Sequence, residues 1–434
     1  MQGKEKAKIY NWVEKNITTE NIRTCFLLSI SVIIFFVAYK HGENLFSGGF
    51  IDFTVLFSFI VLFLSGIIAG FIRGWVERKF EDYAKINSNA DRLVRRYPSE
   101  KFVEIEQYGL KMKLPGIPIW ERTSPSDRIT VEDQETKYYE LPEVIKENYD
   151  RLMKLHRASD TYNQINIRLD DAQTDGGDIV LKTSRTYFYS SLLTNRSCDG
   201  SLKDRISIRD YFEPGPYFSP LSVSKLSNHL GINGLLMVRD KNGEIVIPFV
   251  KRSKNVSVGK GTVNCSISAS LKVKYAVRPD HRKVDMSGIT ASILGEIRDE
   301  LAFDISGLVD ETTIEQSILY LYRDVSECGK PQLIMILDVP NVTKETVSAA
   351  FYRSSPEEIE DVEKRLQKDG RVLVWISLKD LMDAKLEMGG SPMLRVHGKK
   401  YSINMATSIA LAFEINYLRE HAGSFNNEEV KERN

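Results

Sequence analysis

The hydrophobic pattern divides this chain unevenly. Two runs near the N-terminus carry no charged residue, Thr24 to Tyr39 and Phe53 to Ile72. A helix that crosses a bilayer needs about 20 mostly apolar residues. The second run has that length, and Ile22 with the long stems of Arg23 and Lys40 completes the first. The pattern predicts a membrane hairpin with helices over 24–40 and 53–72. Lys4, Lys6, Lys8, Lys15 and Arg23 precede it, Arg73, Arg78, Lys79 and Lys85 follow it, and Lys40 lies in the connection. That asymmetry places both termini, including a short segment 1–23, in the cytoplasm.

The pattern then changes period. Val76, Phe80, Tyr83, Asn87, Ala90 and Val94 recur at alternating steps of four and three, which predicts a helical stalk over 73–98. Residues 99–228 read as a mixed extension. They hold one amphipathic helix, Leu141 to Ala158, and strands Ile165 to Leu169 and Ile179 to Leu181 around a Gly-containing turn. From 229 to 424 the signal is stronger. Strands Leu235 to Arg239 and Ile245 to Val250 flank an Asn-Gly turn, an alternating strand covers Thr262 to Ser270, and a helix covers Ser287 to Phe303. Strands Ile314 to Arg323, Pro331 to Val339 and Val372 to Ile376 follow, with helices Pro356 to Lys368 and Met405 to His421 around the last. Residues 425–434 are polar and predict a disordered tail. The fold class expected is α+β, with a membrane hairpin, a stalk and a C-terminal mixed-sheet domain.

Charge and cysteine content narrow the chemistry. Lys+Arg and Asp+Glu balance at 59 each, so bulk charge gives no argument for a nucleic acid polymer as partner. The 4 cysteines and 6 histidines show no CxxC pair and no metal-ligand spacing. Gly66, Gly70 and Gly74 recur every fourth residue of the second span, the small-residue ridge that lets membrane helices approach closely. They are the candidate contacts for a homo-oligomer.

Three further groups could carry function. Lys251 and Arg252, with the loop lysine Lys260 between two glycines, offer positive charge and free amides to phosphate. The cluster Arg185 to Tyr189 sets Arg185 beside Tyr187, and stacked aromatics beside arginine suit a nucleobase. On the helix, Glu296, Asp299 and Glu300 stand at i, i+3 and i+4 and share a face. Like charges so placed repel unless a cation sits among them. Three clustered oxygens suit Mg²⁺ or Mn²⁺, while on composition an exposed acidic face neutralised by Arg298, Arg282 or solvent is the simpler reading.

The stretch Gly295-Glu-Ile-Arg-Asp-Glu-Leu-Ala-Phe303 resembles the Nudix helix, whose signature ends R-E-U-x-E-E-x-G-U with U aliphatic. Glu296, Ile297, Asp299, Glu300 and Phe303 fit it. Gly295 stands for the Arg, Asp299 for a Glu and Ala302 for the Gly, and the upstream Gly and Glu fall at His281 and Ser287. The likeness covers Leu230 to His421, about half the chain, and implies a Nudix-like α/β/α domain. In that family the counterpart of Glu296 supports catalysis and those of Asp299 and Glu300 hold the metal. Behind two apolar helices, such a domain resembles the TM-Nudix effectors of CBASS, bacterial anti-phage systems signalling through cyclic oligonucleotides. The resemblance implies a receptor in the bacterial inner membrane for a ligand such as cyclic GMP-AMP. A cGAS-like nucleotidyltransferase would supply it, and binding would drive oligomerisation and membrane disruption. No cofactor would be required, Mg²⁺ being the ion the helix would hold. Two alternatives stay open: a membrane-anchored Nudix hydrolase of a nucleoside diphosphate derivative with Glu296 as its catalytic residue, and a scaffold without ligand.

Overall fold

The computed structural model describes residues 89–156, 162–252, 261–353, 371–389 and 391–426. Almost all of them belong to one compact unit spanning 85–153 and 161–434. Its centre is an eight-stranded sheet. The main path runs through β1 (Gly116–Glu121), β2 (Gly231–Arg239), β3 (Ile245–Lys251), β4 (Ile318–Asp324), β5 (Lys330–Thr343) and β6 (Val372–Ser377), in the spatial order β6-β3-β2-β5-β4-β1. Only β2 and β5 pair in parallel along it; the other neighbours are antiparallel. Two short strands, Val263–Asn264 and Ile267–Ser270, add to β3 and β2.

Alternation explains how both faces of this sheet are filled. Leu236 and Val238 of β2 and Leu333, Met335 and Leu337 of β5 enter one core, while Leu235, Met237, Ile334 and Ile336 enter another. A strand buried on both sides reads as a continuous apolar run, as the Gln332 to Val339 stretch does. On the first face lie α1 (Met286–Leu301) and α2 (Lys344–Tyr352); on the second lies α3 (Met405–Glu420). Helix α1 buries Ile289, Ile293, Ile297 and Leu301, one residue per turn. Asp285 caps its start by accepting the Gly288 amide at 2.8 Å, and Ala302, left-handed at φ 54°, ends it.

A second sheet of three strands, Ile129–Tyr138, Asp178–Tyr187 and Ile165–Asp175, adds Ile129, Ile167, Leu169, Ile179 and Leu181 to the α1 side of the core. A two-stranded and a further three-stranded sheet complete the described part. The fold is therefore mixed α/β with several sheets, and the central one crosses position 228: Trp120 of β1 pairs with Leu321 of β4.

This corrects the expected fold class and location. No helix among the described residues is long and apolar enough to cross a membrane. The longest, α1 and α3, have 16 residues each, short of the ~20 apolar residues a span needs, and α1 carries Glu296, Arg298, Asp299 and Glu300. A two-span inner-membrane protein with a cytoplasmic domain is not supported. The segments 24–40 and 53–72, with Gly66, Gly70 and Gly74, lie outside the described residues, as do 356–368 and 427–434.

Several elements differ in extent from the pattern. Of the stalk expected over 73–98 only 89–98 is described: Asn89 is extended and its side chain accepts the Arg92 amide at 2.9 Å, so a helix begins at Ala90 and ends at Arg96. The helix expected over 141–158 is broken into Glu143–Lys146 and Tyr149–Met153. The strand expected from Ile314 opens as a helix, Glu311–Ser317, capped by Asp310.

Candidate functional site

The carboxylates of α1 do share a face, and what faces them is lysine. The Lys272 Nζ lies 2.9 Å from Glu296 Oε2 and 2.6 Å from Asp299 Oδ2. The Tyr275 hydroxyl sits 2.9 Å from both Asp299 oxygens. Glu300 turns away to the Arg371 guanidinium. Position 295 explains itself here: a Cβ on Gly295 would come within 2.4 Å of the Tyr275 ring, so a side chain there would displace the ring that caps Asp299.

Electrostatics follow from burial and this partner set. Glu296 is 1% exposed, and burial pushes its carboxyl up to about 7 against the pull of Lys272. Asp299 is also opposed by burial, yet hydrogen bonds from Lys272 and Tyr275 hold it below the ordinary carboxylate range. Burial disfavours the Lys272 charge, but Glu296 and Asp299 outweigh it and raise the ammonium above its usual value. Glu296 Oε1 has no hydrogen-bond partner.

Whether these side chains fit the Mg²⁺ that the resemblance implies is decided by Lys272. A magnesium ion sits about 2.0–2.1 Å from its oxygens, so an ion shared by Glu296 and Asp299 would need the space and the charge that Nζ already supplies. Glu300 is engaged elsewhere. The residues do not fit the ion. Among the described residues no group of three His, Cys, Asp or Glu side chains is arranged to hold a metal.

Beyond Asp299 the surface opens into a cleft of about 710 Å³, lined by Arg298, Asp299, Ala302, Ala350, Phe351, Tyr352, Arg353 and Arg371. Two helix ends build it. Ala302 closes α1 and Arg353, left-handed at φ 50°, closes α2. The carbonyls of helix C-termini attract cations, which favours arginines at such a rim and leaves any phosphate there to be held by those arginines against the two helix ends and Asp299. The Arg371 guanidinium lies 5.5 Å from the Phe351 ring centre, and Arg298 lies 5.5 Å from that of Tyr275. Arg298 also reaches Asp304 at 3.8 Å. Three arginines and two aromatic residues, Phe351 and Tyr352, thus line one concave space.

The other expected residues fall in separate places. Arg252 follows β3; burial lowers its guanidinium, Glu300 and Glu327 oppose that, and Arg196 and Arg371 add to it. Lys251 lines a smaller cleft of about 360 Å³ with Gly261, Lys400 and Tyr401. Lys260 lies outside the described residues. Arg185 is 3% exposed and held by Asp133 through two contacts of 2.6 Å, a clamp inside the three-stranded sheet. Tyr187, 41% exposed, stacks on Tyr138 with ring centres 5.8 Å apart. The two therefore sit on a different sheet from Lys251.

Sequence reasoning missed Lys272, Tyr275, Arg353, Phe351 and Arg371. Lys272 and Tyr275 precede α1 on the short stretch around Val273–Ala276, and Arg371 leads into β6. No spacing rule links them to Glu296 or Glu300, since only packing brings them together. No model of a known protein family matches this chain, and no curated protein matches it.

Proposed function

We propose that this protein is a receptor for a phosphate-bearing nucleotide, bound in the cleft between the ends of α1 and α2. The observation that carries the reading is the placement of Arg298, Arg353 and Arg371 beside Phe351 around one space of about 710 Å³. Guanidiniums recognise phosphate in two-point contacts, a ring offers a face to a base, and ligand pockets commonly measure about 300–1,000 Å³. The resemblance to CBASS effectors makes a cyclic di- or trinucleotide the ligand class to test. A cGAS-like nucleotidyltransferase is the proposed source. The Lys272 contacts favour retention of the ligand over hydrolysis, because they remove two carboxylates from metal binding.

Calorimetric titration of the full chain with cyclic dinucleotides and trinucleotides tests this. Arg353→Ala and Arg298→Ala should each weaken binding by about tenfold or more, since a charge-assisted hydrogen bond contributes about 1.5–3 kcal/mol. Chromatography should recover the nucleotide intact. Affinity unchanged in the double variant would reject the cleft.

The hydrolase reading draws on Glu296, whose raised carboxyl and unpartnered oxygen suit proton transfer. It requires turnover that Glu296→Gln abolishes.

A further inference from the structure

We infer that Lys272 is a built-in cation occupying the place of a divalent metal between Glu296 and Asp299, and that α1 consequently works without metal. Three local devices fix it there, and each uses a different residue of the helix. The Lys272 backbone is clamped to α1 one turn before Glu296, its amide donating to Ser292 Oγ at 2.9 Å and its carbonyl accepting from the same hydroxyl at 3.2 Å. Gly295 leaves room for the Tyr275 ring. The Tyr275 hydroxyl then closes the outer side of Asp299.

Geometry makes ammonium and metal exclusive. With Nζ 2.9 Å from one carboxylate and 2.6 Å from the other, a divalent ion bridging the same oxygens would stand next to a like charge, and on the buried Glu296 side, though not at the 38% exposed Asp299, Coulomb repulsion is only weakly screened. The Lys272 side chain is 13% exposed and that of Glu296 2%, so neither can swing fully into water without opening the contact between the Val273–Ala276 stretch and α1. Lysine presents three donors and a fixed single charge. It can neutralise two carboxylates but cannot polarise a bound water as Mg²⁺ does.

For the ligand, the consequence rests on the nucleotide reading: binding in the adjoining cleft should be indifferent to chelators. The metal arm stands without any nucleotide. Mn²⁺ binding to the full chain is read by electron paramagnetic resonance, with thermal melting recorded beside it. In the wild type, Asp299→Asn should leave the Mn²⁺ titration unchanged. Lys272→Ala should gain Mn²⁺ affinity by about tenfold or more, the order of one charge-assisted contact, and melt at a higher temperature with Mn²⁺ than without it. Lys272→Arg should gain nothing, and Lys272→Ala with Asp299→Asn should lose what Lys272→Ala gained. Wild-type Mn²⁺ binding that Asp299→Asn removes would overturn the inference. So would a Lys272→Ala chain that neither binds the ion nor, if unfolded, is recovered by it. Failure of every nucleotide to bind, with the Mn²⁺ results as expected, would reject the receptor and leave Lys272 in its role.

Discussion

Arg185 and Asp133 show how a residue can look like a ligand contact and serve the core instead. Both side chains are nearly inaccessible, at 3% and 1%. Burial works against the Asp133 charge, yet Arg185, the Val284 amide at 2.8 Å and the Thr183 hydroxyl at 2.7 Å hold its carboxyl below the ordinary range. Removing one partner of such a pair strands the other charge, at a cost of about 3–5 kcal/mol, whereas replacing both by apolar residues is close to neutral. Asp133→Ala should therefore lower the urea midpoint sharply, and Asp133→Leu with Arg185→Met should restore part of it, since the buried Val284 amide and Thr183 hydroxyl still lose their acceptor. A double variant that binds nucleotide as the wild type does would confine Arg185 to a structural role. An equal loss of stability in the single and double variants would mean that shape, not charge, was being measured.

Helix α3 carries the clearest pH signature among the elements. Glu414 is fully buried on it, with Cys265 Sγ 3.4 Å from Oε2, Tyr322 within electrostatic reach and Oε1 unpartnered. Burial pushes its carboxyl from an ordinary 4.5 up to about 8. The folded chain then keeps a proton that the unfolded chain has released, so this group's contribution to stability falls as pH rises from about 4.5 through about 8. Urea midpoints recorded at successive pH values should decline across that window in the wild type relative to Glu414→Gln. Parallel curves would reject the assignment.

Which elements the pattern revealed follows from where their stabilisation lies. The turn Asp240 to Gly243, the apolar run of β5 and the one-per-turn isoleucines of α1 are local signals, and each matches an element. The 141–158 segment shows the limit. Its spacing is helical, but the Asn148 side chain donates to the Val144 carbonyl at 2.8 Å and accepts the Lys203 backbone amide at 2.9 Å, so a main-chain group distant in sequence helps end the helix. The acidic face of α1 was legible and its occupant was not, because Lys272 is placed by Ser292 and Tyr275 through packing rather than by periodicity.

For the whole molecule, the joining of β1 to β4 decides what can be cut away. A chain beginning at residue 229 would lose β1 and bare the edge of β4, with Trp120 gone from a site where it is 5% exposed. Unpaired apolar edges recruit other chains. Such a fragment should elute as aggregate in size-exclusion chromatography, and to a greater extent than the full chain; a monodisperse fragment would place the true boundary at 228. The same pairing also sets an order in time. Trp120 leaves the ribosome long before Leu321, its partner across the sheet, has been made. Contacts this remote in sequence form late and slowly, and synthesis proceeds at about 5–20 residues per second. The nascent chain therefore carries β1 unpaired for many seconds, an interval in which a chaperone can hold it and a neighbouring chain can capture it.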